Sequence, residues 1–97
     1  MSPGDVAERA DRPGAFVAVI SREVVPGYVI AVHIAVSDAY ASAVPSPLHT
    51  IGTRVQGYLI PTNASVFRTV DLRHPVDTVE EGPLAACRKL FVAALLP

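Results

Sequence analysis

Three histidines, one cysteine and a scatter of carboxylates are the groups from which chemistry could be built in this chain of 97 residues. His33 is the most unusual of them, because it interrupts the apolar run YVIAVHIAV, residues 28–36. A histidine among alanines can serve as a general base or a pH switch, and equally as a neutral, hydrogen-bonded core residue. The second reading is the expected one, since no carboxylate shares its face to orient the ring.

The segment DLRHPVD places Asp71, His74 and Asp77 three apart. Carboxylate and imidazole suit a hard or borderline cation, but this spacing crosses a strand end and a Pro75 bend and converges on nothing regular. A solvated charge cluster with Arg73 is expected there, and no metal. Cys87 falls on a helical stripe, where a thiol behaves as a small hydrophobe, and Arg88 and Lys89 lie away from the helix N-terminus that activates thiols. His49 stands in a loop with no partner motif. No G-x-S-x-G, G-x-G-x-x-G or phosphate-binding loop surrounds any serine or glycine. No cofactor is expected. The polar groups left for a ligand pocket are His33, Tyr58, Arg68 and His74.

The element that must position them is the run at 28–36. It is rich in β-branched and aromatic residues, whose stiff side chains fit a pleated surface better than a helix. As a strand it divides into a bulky face (Tyr28, Ile30, Val32, Ile34, Val36) and a smaller one (Val29, Ala31, His33, Ala35), so both sides are expected to be covered. A second arrangement is open, in which residues 28–44 form a helix and the order becomes β-α-β-β-α, ferredoxin-like. A membrane span over 24–44 would enclose Pro26, Gly27 and Asp38 in a window of roughly 20 residues, and is not expected.

Residues 1–14, punctuated by Pro3, Gly4, Pro13 and Gly14, read as a flexible arm. Residues 15–97 read as a single domain. Val25-Pro26-Gly27-Tyr28 suits a type II turn with Gly27 at positive φ, which would pair Val25 with Tyr28, Ile20 with His33 and Val17 with Val36. A short helix capped by Ser37 or Asp38 ends before Pro45, and VPSPLHTIG, residues 44–52, reads as loop. Residues 53–60 and 66–72 read as a hairpin across PTNAS, setting Ile60 against Val66, Tyr58 against Arg68 and Gln56 against Val70. Gly82 as cap and Pro83 at the first position start a helix over 83–96, whose stripe (Leu84, Cys87, Leu90, Phe91, Ala94, Leu95) should pack on the sheet. The expected fold is α+β: an antiparallel sheet of about four strands with a C-terminal helix on one face.

Charged residues make up only 18% of the chain and balance to −1, against roughly 25% in typical globular chains. With 8 basic residues dispersed among 9 acidic ones, nucleic acid is not an expected ligand, because phosphate neutralisation needs clustered cations. Surplus apolar surface points instead to a homo-oligomer, in the first instance a dimer. A single cysteine and a start lacking an apolar signal core lead to a cytoplasmic expectation. Arginine in preference to lysine, with abundant Ala, Val and Pro, is the mark of GC-rich coding, which leaves a third option of a reading frame without a selected function. Of the two functional classes, a non-catalytic oligomerisation or binding module is preferred to a small enzyme or ligand-binding subunit with its pocket between sheet and helix.

Overall fold

The computed structural model describes residues 1–36, 44–50 and 53–96. Its elements are β1 (Asp5–Glu8), β2 (Phe16–Val19), β3 (Tyr28–Ala35), β4 (Val44–Thr50), β5 (Thr53–Arg68), a 3-10 turn (Thr69–Asp71), β6 (Asp77–Thr78) and the helix α1 (Glu81–Leu95). The strands form one six-stranded antiparallel sheet in the order β4-β5-β3-β2-β1-β6. Its two end strands lie against each other, so the sheet curls most of the way into a barrel. The class is α+β, with six strands rather than about four.

β3 is extended, which excludes the helical arrangement over its length, and it occupies the middle of the sheet between β2 and β5. Its two faces divide as the alternation requires. Val32 is buried in the main core with Ile30 and Ile34 packed against it, while Val29 and Ala31 enter a second cluster with Val17, Val19, Ala7 and Leu72. Met1 and Phe67 cover that second cluster. A strand roofed on both faces is what a charge-free apolar run buries most profitably.

The β2–β3 register departs from the expected hairpin. Val17 pairs with His33 rather than Val36, and Ala18 with Val32. The shift is three residues, and an odd shift exchanges the faces of a strand; Val17 and Val19 therefore join Ala31 and His33, and Ala18 and Ile20 join Val32. The turn at 25–28 forms, with the Tyr28 N–H donating to the Val25 carbonyl and Gly27 at φ 83, but it only ends a longer loop. The ladder stops earlier because the Ser21 hydroxyl accepts the Ile30 N–H at 2.7 Å in place of a backbone carbonyl.

Residues 53–72 are not a hairpin. β5 is a single strand whose far half, Ala64 to Arg68, pairs β3 from Val32 back to Tyr28, and whose near half pairs β3 from His33 to Ala35. Val32 faces Ala64 while His33 faces Ile60, so Pro61, Thr62 and Asn63 are extra residues that bend the strand rather than reverse it. The supposed loop at 44–52 supplies β4, an edge strand in which Val44, Ser46 and Leu48 are buried. Prolines are tolerated on an edge, where a missing N–H leaves no partner unsatisfied. The short helix expected between Ser37 and Ala43 lies outside the described residues.

The stretch expected to be an arm, 1–14, carries β1 into the sheet, with Val6 and Ala7 buried between β2 and β6. The helix begins at Glu81, with Glu80 as N-cap, so Gly82 and Pro83 lie inside its first turn. Proline is harmless there, since those N–H groups have no intrahelical acceptor. Leu84 and Cys87 are buried and Phe91 packs on the core, but Leu90, Val92, Leu95 and Leu96 are exposed. Half of the expected stripe is thus in use.

Candidate functional site

Residues that follow β1, open β3 and close β5 meet around one cavity. This cavity of about 400 Å³ is lined by Arg9, Asp11, Phe67, Arg68, Asp71 and Tyr28 among others. Its walls follow from the register: Arg68 pairs with Tyr28 and Phe67 with Val29, which sets a guanidinium and a phenol on one face and a phenyl ring on the other.

Two arginine–aspartate forks flank the aromatic rings. Arg9 donates through Nε and Nη2 to both Asp11 oxygens at 3.0 and 2.8 Å, and Arg68 does the same to Asp71 at 2.9 and 3.2 Å. The Arg9 guanidinium also stands 5.3 Å from the centre of the Phe67 ring, a cation–π contact. The fork with Arg9 holds the Asp11 carboxyl below its ordinary range, and the fork with Asp71 strengthens the hold of Arg68 on its proton. Each charge is neutralised by its neighbour, so the cavity offers both signs and no free excess of either.

His33 is half-buried on the same face, its ring edge-on to Phe67 at 6.3 Å. Its strand neighbours are Val17 and Ile60, not Ile20. Burial above all, then the nearby charges of Arg9 and Arg12, hold its pKa below the usual 6.5. The unfolded chain therefore takes up the proton more readily than the folded one. Stability contributed by neutral His33 is complete above pH 6.5 and is lost as pH falls through the depressed folded value. Urea midpoints at pH 7.5 and 5.5 should differ more for the native protein than for His33→Gln; an equal decline in both would contradict this.

The four sequence-derived site residues are not gathered into one place. Arg68 lines the cavity just described, and His74 lines another, of about 410 Å³, with Met1, Leu72 and Arg73. His33 and Tyr58 line neither. Tyr58 pairs with Ala35 and Arg68 with Tyr28, so these two stand at opposite ends of β3, on the order of 20 Å apart along a strand. A cleft of about 350 Å³ does lie between sheet and helix, but its walls are Pro61, Thr62, Ala64, Phe91, Ala94 and Leu95.

The D-x-x-H-x-x-D carboxylates are used locally. Asp71 is held by Arg68, an Asp77 oxygen accepts the Thr78 N–H at 2.7 Å, and Arg73 pairs with Glu8 at 3.4 Å. Among the described residues no group of three or more His, Cys, Asp or Glu side chains is placed to hold a metal ion. Cys87 is fully buried, and burial pushes its thiol up to about 11. No described helix is long and apolar enough to cross a membrane.

No protein-family model matches the chain, and no curated protein registers as a relative. Function must be argued from the surface itself. Arg9, Asp11 and Phe67 do not stand out in the sequence; the R-x-D spacing is present in the N-terminal segment, but only the bridge of Arg9 to Leu72 and the Ala10 N–H bond to the Asp71 carbonyl bring it beside the end of β5.

Beside this charged cavity lies an apolar one of about 200 Å³, lined by Val24, Val25, Tyr28, Ile30 and Val66 with Ser21 and Arg22 at its margin. Tyr28 and Val66 belong to both cavities. The arrangement can bind by apolar contact and complementary charge. It brings together no nucleophile with an adjacent base.

Proposed function

We propose that this protein is a small self-associating binding module that performs no chemistry of its own, and that its partner is a second copy of the chain. The observation that carries the reading is the clustering of exposed apolar side chains: Val24 is 82% exposed, Val25 60%, Val66 66% and Tyr28 44%, all around one cleft. Isolated surface valines are ordinary, but a contiguous set rimmed by polar groups marks an interaction surface. A low charge content supports the same conclusion, since little else on such a patch opposes association.

Strand addition is the less suitable route. β4 carries Pro45 and Pro47, and β6 has two residues, so each end of the sheet offers few donors to a new strand. Face-to-face contact is favoured, and closed two-fold dimers are its commonest form. Light scattering coupled to size exclusion, over a loading range from low to high micromolar, should show mass rising towards twice that of the chain. A constant monomer mass across the range would refute the proposal.

A further inference from the structure

Independently of self-association, we propose that the far half of β5 takes up an extended peptide as an added strand. The two ends of the sheet are poor templates for this, but β5 has an open edge of its own. β4 lies against it from Thr53 to Leu59, whereas β3 lies against its other side as far as Arg68. Among the described residues, no strand flanks Ala64 to Arg68 on the side away from β3.

Hydrogen-bond parity fixes which backbone groups face that side. The Thr69 N–H donates to the Gly27 carbonyl at 2.8 Å, so Phe67 and Ser65, on the same alternation, also turn their N–H and carbonyl groups to β3. Ile30, the partner of Val66, has the opposite phase: its carbonyl accepts the Ile20 N–H at 2.9 Å and its N–H donates to the Ser21 hydroxyl at 2.7 Å, both away from β5. Ala64, Val66 and Arg68 therefore aim their N–H groups off the sheet, roughly 7 Å apart. Such a row is the template that another extended backbone pairs with.

In strand addition the backbone supplies affinity, and pockets for alternate side chains supply specificity. Here Ser65 to Arg68 all line the charged cavity although successive residues point to opposite faces, so that cavity follows the edge; Val66 lines the valine cleft as well. A peptide residue opposite Val66 shares its face and meets Val24, Val25 and Ile30, while its neighbours turn towards Phe67, Arg9 and Asp11. The ligand class is a short extended segment in which an aliphatic residue is flanked by polar or charged ones.

Selection from a displayed library of random heptapeptides on the native protein, followed by amide hydrogen exchange read by NMR, tests the proposal. In the free protein the Val66 and Arg68 amides should exchange at least tenfold faster than those of Ser65 and Phe67, and a selected peptide with capped ends should slow Val66 and Arg68 at least tenfold. Val66→Pro removes an outward N–H and no bond to β3, and should weaken the peptide at least tenfold, whereas Val66→Thr should bind as the native protein does. Methylating the peptide's backbone nitrogens one at a time leaves the protein untouched, and should abolish binding at alternate positions only. No enriched peptide, equal binding to a folded Val66→Pro, or tolerance of methylation at every position would overturn the proposal. So would slow exchange of Val66 and Arg68 in the free protein, which would put a second copy on the edge. A protein that stays monomeric yet binds the peptide in this pattern upholds strand addition and refutes self-association alone.

Discussion

Leu59→Ala should lower stability by about 2–5 kcal/mol, the range for emptying a buried leucine site. Leu59 is wholly buried and sits on β5 with Ile34 of β3 on one side and Val44 of β4 on the other. It therefore ties together the three strands at the β4 end of the sheet while facing the main core. Strand pairing fixes its backbone on both edges, so the surroundings have little freedom to collapse into the space left behind. A domain of this size has a total stability on the order of 5–15 kcal/mol, and the variant should be marginal. Urea denaturation checks the value directly. A loss well under 1 kcal/mol would mean that β5 does not run between β3 and β4 as described.

Gly4→Val should be costly for a different reason. Gly4 is buried at φ 95, its N–H donates to the Val19 carbonyl at 2.7 Å, and its carbonyl accepts the Val79 N–H at 2.7 Å. This residue thus fastens the start of β1 to the end of β2 and to the approach of α1. A β-branched residue at positive φ is strained by about 1–3 kcal/mol. A Cβ there would already be in van der Waals contact with the Val79 oxygen at 3.4 Å and with Leu84 Cδ2 at 3.6 Å, so the two branch methyls enter a packed neighbourhood. The two costs add, and each kcal/mol lowers the melting temperature by about 4–8 °C in a domain of this size. Unchanged melting of Gly4→Val would contradict the placement of the N-terminal segment inside the fold.

The sequence made β3 legible for a plain physical reason. Five of its eight residues are β-branched or aromatic and outweigh Ala31 and Ala35, so local and tertiary preference mostly agree. The helix was legible in the same way, with its start displaced because Gly82 and Pro83 signal a boundary that the first turn can absorb. β1 was hidden because Val6 and Ala7 are few apolar residues between charges; their burial is decided by neighbours distant in sequence. β4 was hidden by its prolines, which argue against a central strand but not against an edge. PTNAS reads as a reversal because turn residues also suit a bulge, and only the partner strand distinguishes the two. The β2–β3 ladder ends at the Ser21 hydroxyl and leaves a long loop before Tyr28, a hydrogen bond invisible to periodicity.

Of the site, individual residues were legible and their assembly was not. Arg68 could be named from composition, but its company of Arg9, Asp11 and Phe67 depends on β1 lying two strands from β3 and on the bend in β5. His33 was placed correctly on the smaller face of β3, yet its neighbours followed the true register and not the expected one. Tyr58 and His74 were available as polar groups and are held far from any common point.

Isotope-filtered NOE spectroscopy on a dimer mixed from labelled and unlabelled chains addresses the functional reading most directly. Contacts between copies should run from the Val66 methyls and the Tyr28 ring to Val24 and Val25 of the other chain. Contacts confined to Leu90, Val92 and Leu95, or none at concentrations well into the micromolar range, would contradict it.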